Sequence, residues 1–343
     1  MKIVHFSNWA PRRSGLYECT RELVEYERKL GHISEMAIFE TENPSDTMVD
    51  GDFKPVSWES TKDADIFVLH RGIPGKLEEL KKPTVCVIHG TPAFLMQEEV
   101  ISHAEKTPFN THINLLKDCA ATVAVNPLDY DIYKLYDGRN KLTMIHDAID
   151  TAKYTIEGYQ YPYSNHPQIL FADSLRSNKY PSHIIWAMAE VVKRIPNARL
   201  TVVGLDLLGI LTWRNLLLRS PGQHLNANIE NLQFATNDNP QFMRGADILF
   251  NSNISGVPSR TELEAMACGC QVISYNGYIT KYQARAFDIK DIADQICKCW
   301  DDIKDDLPQA RLNARQWVLD NASAEAKAKE YVALYEKVLS ESK

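Results

Sequence analysis

The chain has 343 residues, 44% of them hydrophobic, and a formal net charge of −7. Its length suits two domains of ordinary size, and its apolar fraction suffices for real cores. A globally basic nucleic-acid binder is excluded, because residues 1–150 carry 17 Lys and Arg against 24 Asp and Glu and the remainder balances at 21 against 21.

The opening MKIVHFSNW has no apolar h-region of a signal peptide. No window approaches the roughly 18 uninterrupted apolar residues of a membrane span. A cytoplasmic protein is therefore expected. The first run, KIVHF, reads as a strand, SNWAPRRSG as a loop of turn formers, and LYECTRELVEYERKLGH as a helix with Leu16, Leu23, Tyr26 and Leu30 on one face. EMAIF, DIFVLH, TVCVIHG, ATVAVN and LTMIHD continue as β-type runs. The pattern restarts at QILFAD, followed by the amphipathic helix HIIWAMAEVVKRI and the strands ARLTVVG, NLQFAT, DILFNS and QVISY. Strands alternating with helices imply parallel sheets covered on both faces. The expectation is an α/β chain of two Rossmann-like domains, residues 1–158 and 159–321, with TIEGYQYPYSNHP as the link. A helical tail over 322–343 is expected to pack on one of them, the first being a candidate.

Ligands in open α/β sheets bind beyond the carboxyl ends of strands, so the loops there are the candidates for chemistry. Gly15 enters the first helix where its N-terminus favours a phosphate or sugar, with Arg12 and Arg13 as charge-assisted partners. The GxGxxG fingerprint is absent, which weakens a nicotinamide or flavin reading. His89, after TVCVI, stands where it can donate a hydrogen bond or carry a proton; His146 repeats the arrangement after LTMI and ranks below it. Arg176 and Lys179 follow QILFA as two cations suited to a diphosphate.

In SGVPSRTELEAMACGCQVISY, Ser259 and Glu262 fit a capping box at the start of a helix that Gly269 stops. The amides around Ser259, Arg260 and Thr261 then make an anion site, and Glu264, one turn in, is placed to hold a ribose diol. The seven cysteines read as reduced thiols, and the two Cys-x-Cys pairs, 268/270 and 297/299, are closer than structural zinc spacing, so no metal is expected. DAD at 63–65 and DYD at 129–131 read as surface acids.

LEAMACGCQV resembles the second half of the E-x7-E signature of GT-B glycosyltransferases, in particular the retaining family-4 type. The resemblance runs in order over most of the chain. It implies a GT-B fold whose domains face across a cleft, with the nucleotide sugar held mainly by the second. His89 matches a strand-end histidine bordering the acceptor and the transferred sugar, and Lys179 the family lysine. Three positions depart from the pattern. Gly256 replaces the first Glu, Ser174 the arginine that Arg176 is close enough to replace, and His146-Asp147-Ala148 the PNG run. Segments such as HFSNWAPRRSGLYECTREL are also similar to glycosyltransferases of tailed bacteriophages, which implies a hydroxymethylated base of phage DNA as acceptor and the host cytoplasm as location.

The resemblance implies transfer with retention from a nucleotide-diphosphate sugar, UDP-sugar first, to a hydroxyl, by front-face attack assisted by the departing phosphate oxygen. Glu264 would hold the ribose, Lys179, Arg176 and the Ser259–Thr261 amides the diphosphate, and His89 the attack, without a cofactor or essential metal. A glycan or lipid acceptor is the alternative. A nucleotide-sugar epimerase would need an acid/base carboxylate pair that the chain does not offer once Glu262 caps the helix. A non-catalytic nucleotide-sugar-binding protein is favoured only by Gly256.

Overall fold

The computed structural model describes residues 1–11, 14–38, 44–45, 47–70, 81–89, 117–138, 140–173, 179–204, 228–232, 239–253 and 258–342. They form two compact units, Met1–Asp150 with Ala322–Lys343, and Thr151–Asn321.

In the first unit, β1 (Lys2–Ser7), β2 (Ile33–Ile38), β3 (Ile66–His70), β4 (Thr84–Ile88), β5 (Ala121–Ala124) and β6 (Leu142–Met144) form one sheet in the order β2-β1-β3-β4-β5-β6. Every pairing is parallel. The inner strands β1, β3, β4 and β5 are near-continuous apolar runs because both faces are buried. Helix α1 (Gly15–Lys29) begins where the Ser14 hydroxyl accepts from the Tyr17 amide at 3.4 Å. It lays Leu23 and Tyr26 on Ile3, Val68 and Val85. The opposite face packs Val4, Phe6, Phe67 and Ile88 against Tyr133 and Trp58, from the helices α3 (Pro127–Lys134) and α2 (Trp58–Thr61).

The second unit holds β7 (Gln168–Ala172), α4 (Pro181–Arg194), β8 (Arg199–Val203), β9 (Ile229–Leu232), α5 (Asn239–Gly245), β10 (Ile248–Asn251), α6 (Arg260–Ala267), β11 (Gln271–Ser274), β12 (Tyr282–Gln283), α7 (Ile289–Ile303) and α8 (Leu307–Asn321). Its sheet runs β12-β11-β10-β7-β8-β9, again all parallel. Ile184, Met188 and Val191 of α4 and Ile292 and Ile296 of α7 bury Ile169, Phe171 and Leu200, each such side chain contributing roughly 1.5–3 kcal/mol. β12, only two residues long, has no counterpart in the sequence reading, and β9 starts two residues before the NLQFAT run. The last helix, α9 (Ala324–Glu341), belongs to the first unit, where Ala328, Tyr331, Tyr335 and Val338 join α1 over the sheet.

Residues 151–158 belong with the second unit, not with the first as their polar composition implies. Arg315 donates to the carbonyls of Thr151 and Tyr154, and Arg244 to those of Lys153 and Thr155. Backbone carbonyls carry these ties, so no side-chain pattern announces them.

The chain crosses from one side of each first-laid strand to the other, at β1/β3 and at β7/β10. Such switch points are where open α/β sheets take ligands. Helix α6, which points at the second of them, ends at Gly269. There φ is +93°, and an added Cβ would lie 3.0 Å from Arg311 Cβ and Ile156 Cγ2. Gly269→Ala is expected to cost about 1–2 kcal/mol, read as a lower urea midpoint. Gly51→Ala, also at positive φ but with nothing within 4 Å, should cost less.

Candidate active site

At the β7/β10 switch point of the second unit, Lys179 lies just beyond β7 and pairs with Asp173 at 2.8 Å, each side chain 19% exposed. The Lys179 carbonyl accepts from the Ser252 hydroxyl, and Tyr180, with a left-handed φ of 40°, turns the chain into Pro181 of α4. Ser252 follows β10, whose last residue, Asn251, donates from Nδ2 to the Ser259 hydroxyl. That hydroxyl also accepts from the Glu262 amide at 3.3 Å, and the Ser259 amide donates to Glu262 Oε2 at 2.6 Å. Both halves of the capping box are thus formed. Arg260 and Glu264 pair with each other, Nε to Oε1, at 2.7 Å.

Glu262 is fully buried, and burial pushes its carboxyl up to about 7; the Ser259 amide, the Ser274 hydroxyl and the charge of Lys179 oppose the shift. The structure therefore gathers Lys179, Ser259, Arg260, Thr261 and Glu264 at one helix N-terminus. Arg176 and Gly256 lie outside the described residues. Asp173, Asn251 and Ser252 were missed. Their only signal is position, since each stands at or just after the end of a β-type run.

In the first unit, Gly15 is exposed as the first residue of α1 at the carboxyl end of β1, and Arg12 and Arg13 lie outside the described residues. His89 follows β4. Its Nε2 is 3.0 Å from His70 Nδ1, and its Nδ1 is 3.6 Å from Asp147 Oδ1. Asp147 also accepts from Cys19 Sγ at 3.4 Å. His146 is bonded to the Val125 backbone; burial first, then Lys327, hold it below the ordinary histidine range, against the opposing charge of Asp147. Asp129 corrects the reading of DYD as surface acids. At the first turn of α3 it is fully buried, accepts from Asn126 Nδ2 at 2.5 Å, and is pushed by burial up to about 8. None of the seven cysteines is in a disulfide and all are buried, so Cys268, Cys270, Cys297 and Cys299 are core thiols.

Residues 160–302 match the family of glycosyl transferases group 1. No curated protein sequence matches the chain. Among solved structures, a glycosyltransferase from Rickettsia africae is similar over 98% of both chains, with 18% identity and a TM-score of 0.74. HepE from Anabaena, solved with UDP, is similar over 98% of this chain and 100% of its own, with 15% identity and a TM-score of 0.75. Sucrose-phosphate synthase from Thermosynechococcus elongatus is similar over 99% of both, with 15% identity and a TM-score of 0.75. The fold is GT-B, as the sequence implied. The group 1 match lies wholly within the second unit, Thr151–Asn321.

The burial of Glu262 sets a pH dependence. Its unfolded value is 4.5 and its folded value about 7, so the neutral carboxyl stabilises the fold fully below 4.5 and that contribution is lost as pH rises through 7. Glu262→Gln keeps the capping acceptor without the charge. Its melting temperature should therefore gain on the wild type as pH rises through this window, in parallel thermal melts. A constant difference would show that Glu262 does not titrate there.

Proposed function

We propose that the chain transfers a sugar, with retention, from a nucleotide-diphosphate sugar, UDP-sugar first, to a hydroxyl acceptor. The observation that carries this reading is the meeting of Lys179 with the capped N-terminus of α6 at the β7/β10 switch point. A helix N-terminus and a lysine both favour a diphosphate, and favour it more as charge develops on it during departure. The group 1 match over 160–302 and the UDP and UDP-glucose complexes of HepE support the donor class.

Lys179 leaves Asp173 for the diphosphate, and Glu264 exchanges its bond with Arg260 for the ribose diol. Arg260 is then freed for the phosphates. Arg176 completes the cation set. These groups stabilise the leaving diphosphate without an essential metal. His89 orients the acceptor hydroxyl. Among acceptors, the 24 acids against 17 cations of residues 1–150 place glycan or lipid hydroxyls ahead of the hydroxymethylated DNA base of the phage resemblance, whose phosphates call for cations.

The test is binding and turnover with UDP-, GDP- and ADP-sugars, against glycan, lipid and hydroxymethylcytosine-DNA acceptors. An intact protein that neither binds nor turns over any donor would sink the proposal. Lys179→Ala should stay folded by circular dichroism and lose roughly 10²–10³-fold in kcat, the scale set by removing one preorganised donor to a developing anion.

A further inference from the structure

The second unit has another concave site, at the end of its sheet away from Lys179 and α6. Lys179 lies beyond the carboxyl end of β7. Gln168 and Arg199, in contrast, are the first residues of β7 and β8, and Asn228 stands just before β9. Gln168 pairs in register with Arg199. Ile229 pairs with Leu200, which brings Asn228 level with Arg199. Paired residues of neighbouring strands share a face, as do residues two apart on one strand. Gln168, Arg199 and Thr201 therefore stand on one face of the sheet, with Asn228 beside them. The opposite face carries Ile169, Phe171 and Leu200 under α4 and α7.

These four residues line a cavity of about 380 Å³. Residues 161–164 form its wall. The Tyr161 amide ties this wall to the Gln241 carbonyl at 2.9 Å, and Gly245 of α5 lets it sit close. A Cβ on Gly245 would lie 2.7 Å from both the Tyr161 carbonyl oxygen and Tyr163 Cδ2, so only glycine admits the wall. The rings of Tyr161 and Tyr163 meet in it, 4.8 Å apart at 54°.

The polar groups of the cavity have fixed orientations. Gln168 Nε2 donates to the Ile169 carbonyl at 3.1 Å and to the Thr201 hydroxyl at 2.8 Å. Asn228 Nδ2 donates to the carbonyls of Pro196 at 3.2 Å and Ala198 at 2.9 Å. Each amide thus commits its N–H groups to the protein. Among the described residues nothing donates to Gln168 Oε1 or Asn228 Oδ1. Gln168 is 2% exposed, Asn228 8% and Thr201 1%. The Thr201 hydroxyl accepts from Gln168 and keeps its own proton to give. Arg199 places one N–H on the Ala198 carbonyl at 3.2 Å, and no carboxylate pairs with it among the described residues. Buried polar atoms are normally hydrogen-bonded, so this set calls for partners from outside the chain.

The chemistry of the set selects the ligand. Two amide carbonyls whose N–H groups are committed need hydroxyl donors. The guanidinium needs acceptors and favours an anion. The tyrosine rings supply an apolar wall. A sugar ring with several hydroxyls and one anionic group meets all three conditions. A nucleobase, flat and poor in donors, leaves the carbonyls unmet. The volume is near the low end for ligand pockets, which suits one ring.

We propose that this cavity binds an anionic monosaccharide. Its hydroxyls donate to Gln168 and Asn228, its carboxylate or phosphate lies on Arg199, and its C–H face rests on Tyr161 and Tyr163. The site shares no residue with the Lys179 and α6 group and stands apart from the donor reading.

The test is titration of the full chain, followed by proton NMR and calorimetry. Glucuronic acid and glucose 6-phosphate are the two anionic probes, and glucose is the neutral control. At least one probe should bind with Kd on the order of 1 mM, as befits a single small ring, and glucose about tenfold more weakly. The tighter probe identifies the anion. The C–H protons of the bound sugar should shift upfield over the tyrosine rings. Arg199→Gln should weaken the probes to the level of glucose, and Lys179→Ala should leave them unchanged. The proposal is overturned if neither probe binds, if glucose binds equally well, or if Arg199→Gln has no effect. Loss of binding in Lys179→Ala also overturns it, because the probes then occupy the donor site. Should Arg199→Gln fail to fold by circular dichroism, the upfield shift in the wild type decides, and its absence overturns the site.

Discussion

A parallel sheet must be covered on both faces, and in the first unit the cover over one face comes from opposite ends of the chain. α1 supplies Leu23 and Tyr26, and α9 supplies Ala328, Tyr331, Tyr335 and Val338. The join is made by backbone: the Ile149 amide donates to the Ala322 carbonyl at 2.9 Å, and the Ala324 amide returns the bond to Ile149 at 2.9 Å. Beneath this cover the sheet carries His5, His70 and His89 in a row, joined nitrogen to nitrogen at 3.0 Å at each step. Polar groups survive such burial only when hydrogen-bonded. The imidazoles meet that condition through one another and through Glu27 Oε2, which also accepts from the Ser34 hydroxyl.

The second unit handles charge differently. At its candidate site Lys179 is paired with Asp173 and Arg260 with Glu264. These internal pairs hold long side chains in place and spare them the penalty of standing unpaired in a half-buried setting. On the proposed reading, binding is an exchange of partners, in which a diphosphate replaces the carboxylates and a neutral sugar does not.

Much of this was legible in the sequence, because its signals are local. The capping box needs only Ser259 and Glu262 three residues apart, and the alternation of β-type runs with amphipathic helices is enough for two parallel sheets. The histidine row was not legible beyond His89. His5, His70 and His89 are far apart in the chain and meet only through the register of β1 with β3 and of β3 with β4, which no spacing encodes. Asp129 was misjudged for a related reason. An acid in the first turn of a helix normally faces water, and only the packing of α3 turns this one inward. The unit boundary was displaced because Arg244 and Arg315 hold backbone carbonyls, to which composition is blind.

The return of α9 to the first unit has a consequence for synthesis. A ribosome delivers residues in order, and domains generally fold as they emerge. Here residues 1–150 emerge before the whole of 151–321, yet one side of their sheet lacks Tyr331 and Tyr335 until α9 is made. The second unit has all of its parts first. The first unit is therefore completed after the second, and during the interval the part of its sheet that α9 covers stands open, of the sort of surface that chaperones shield.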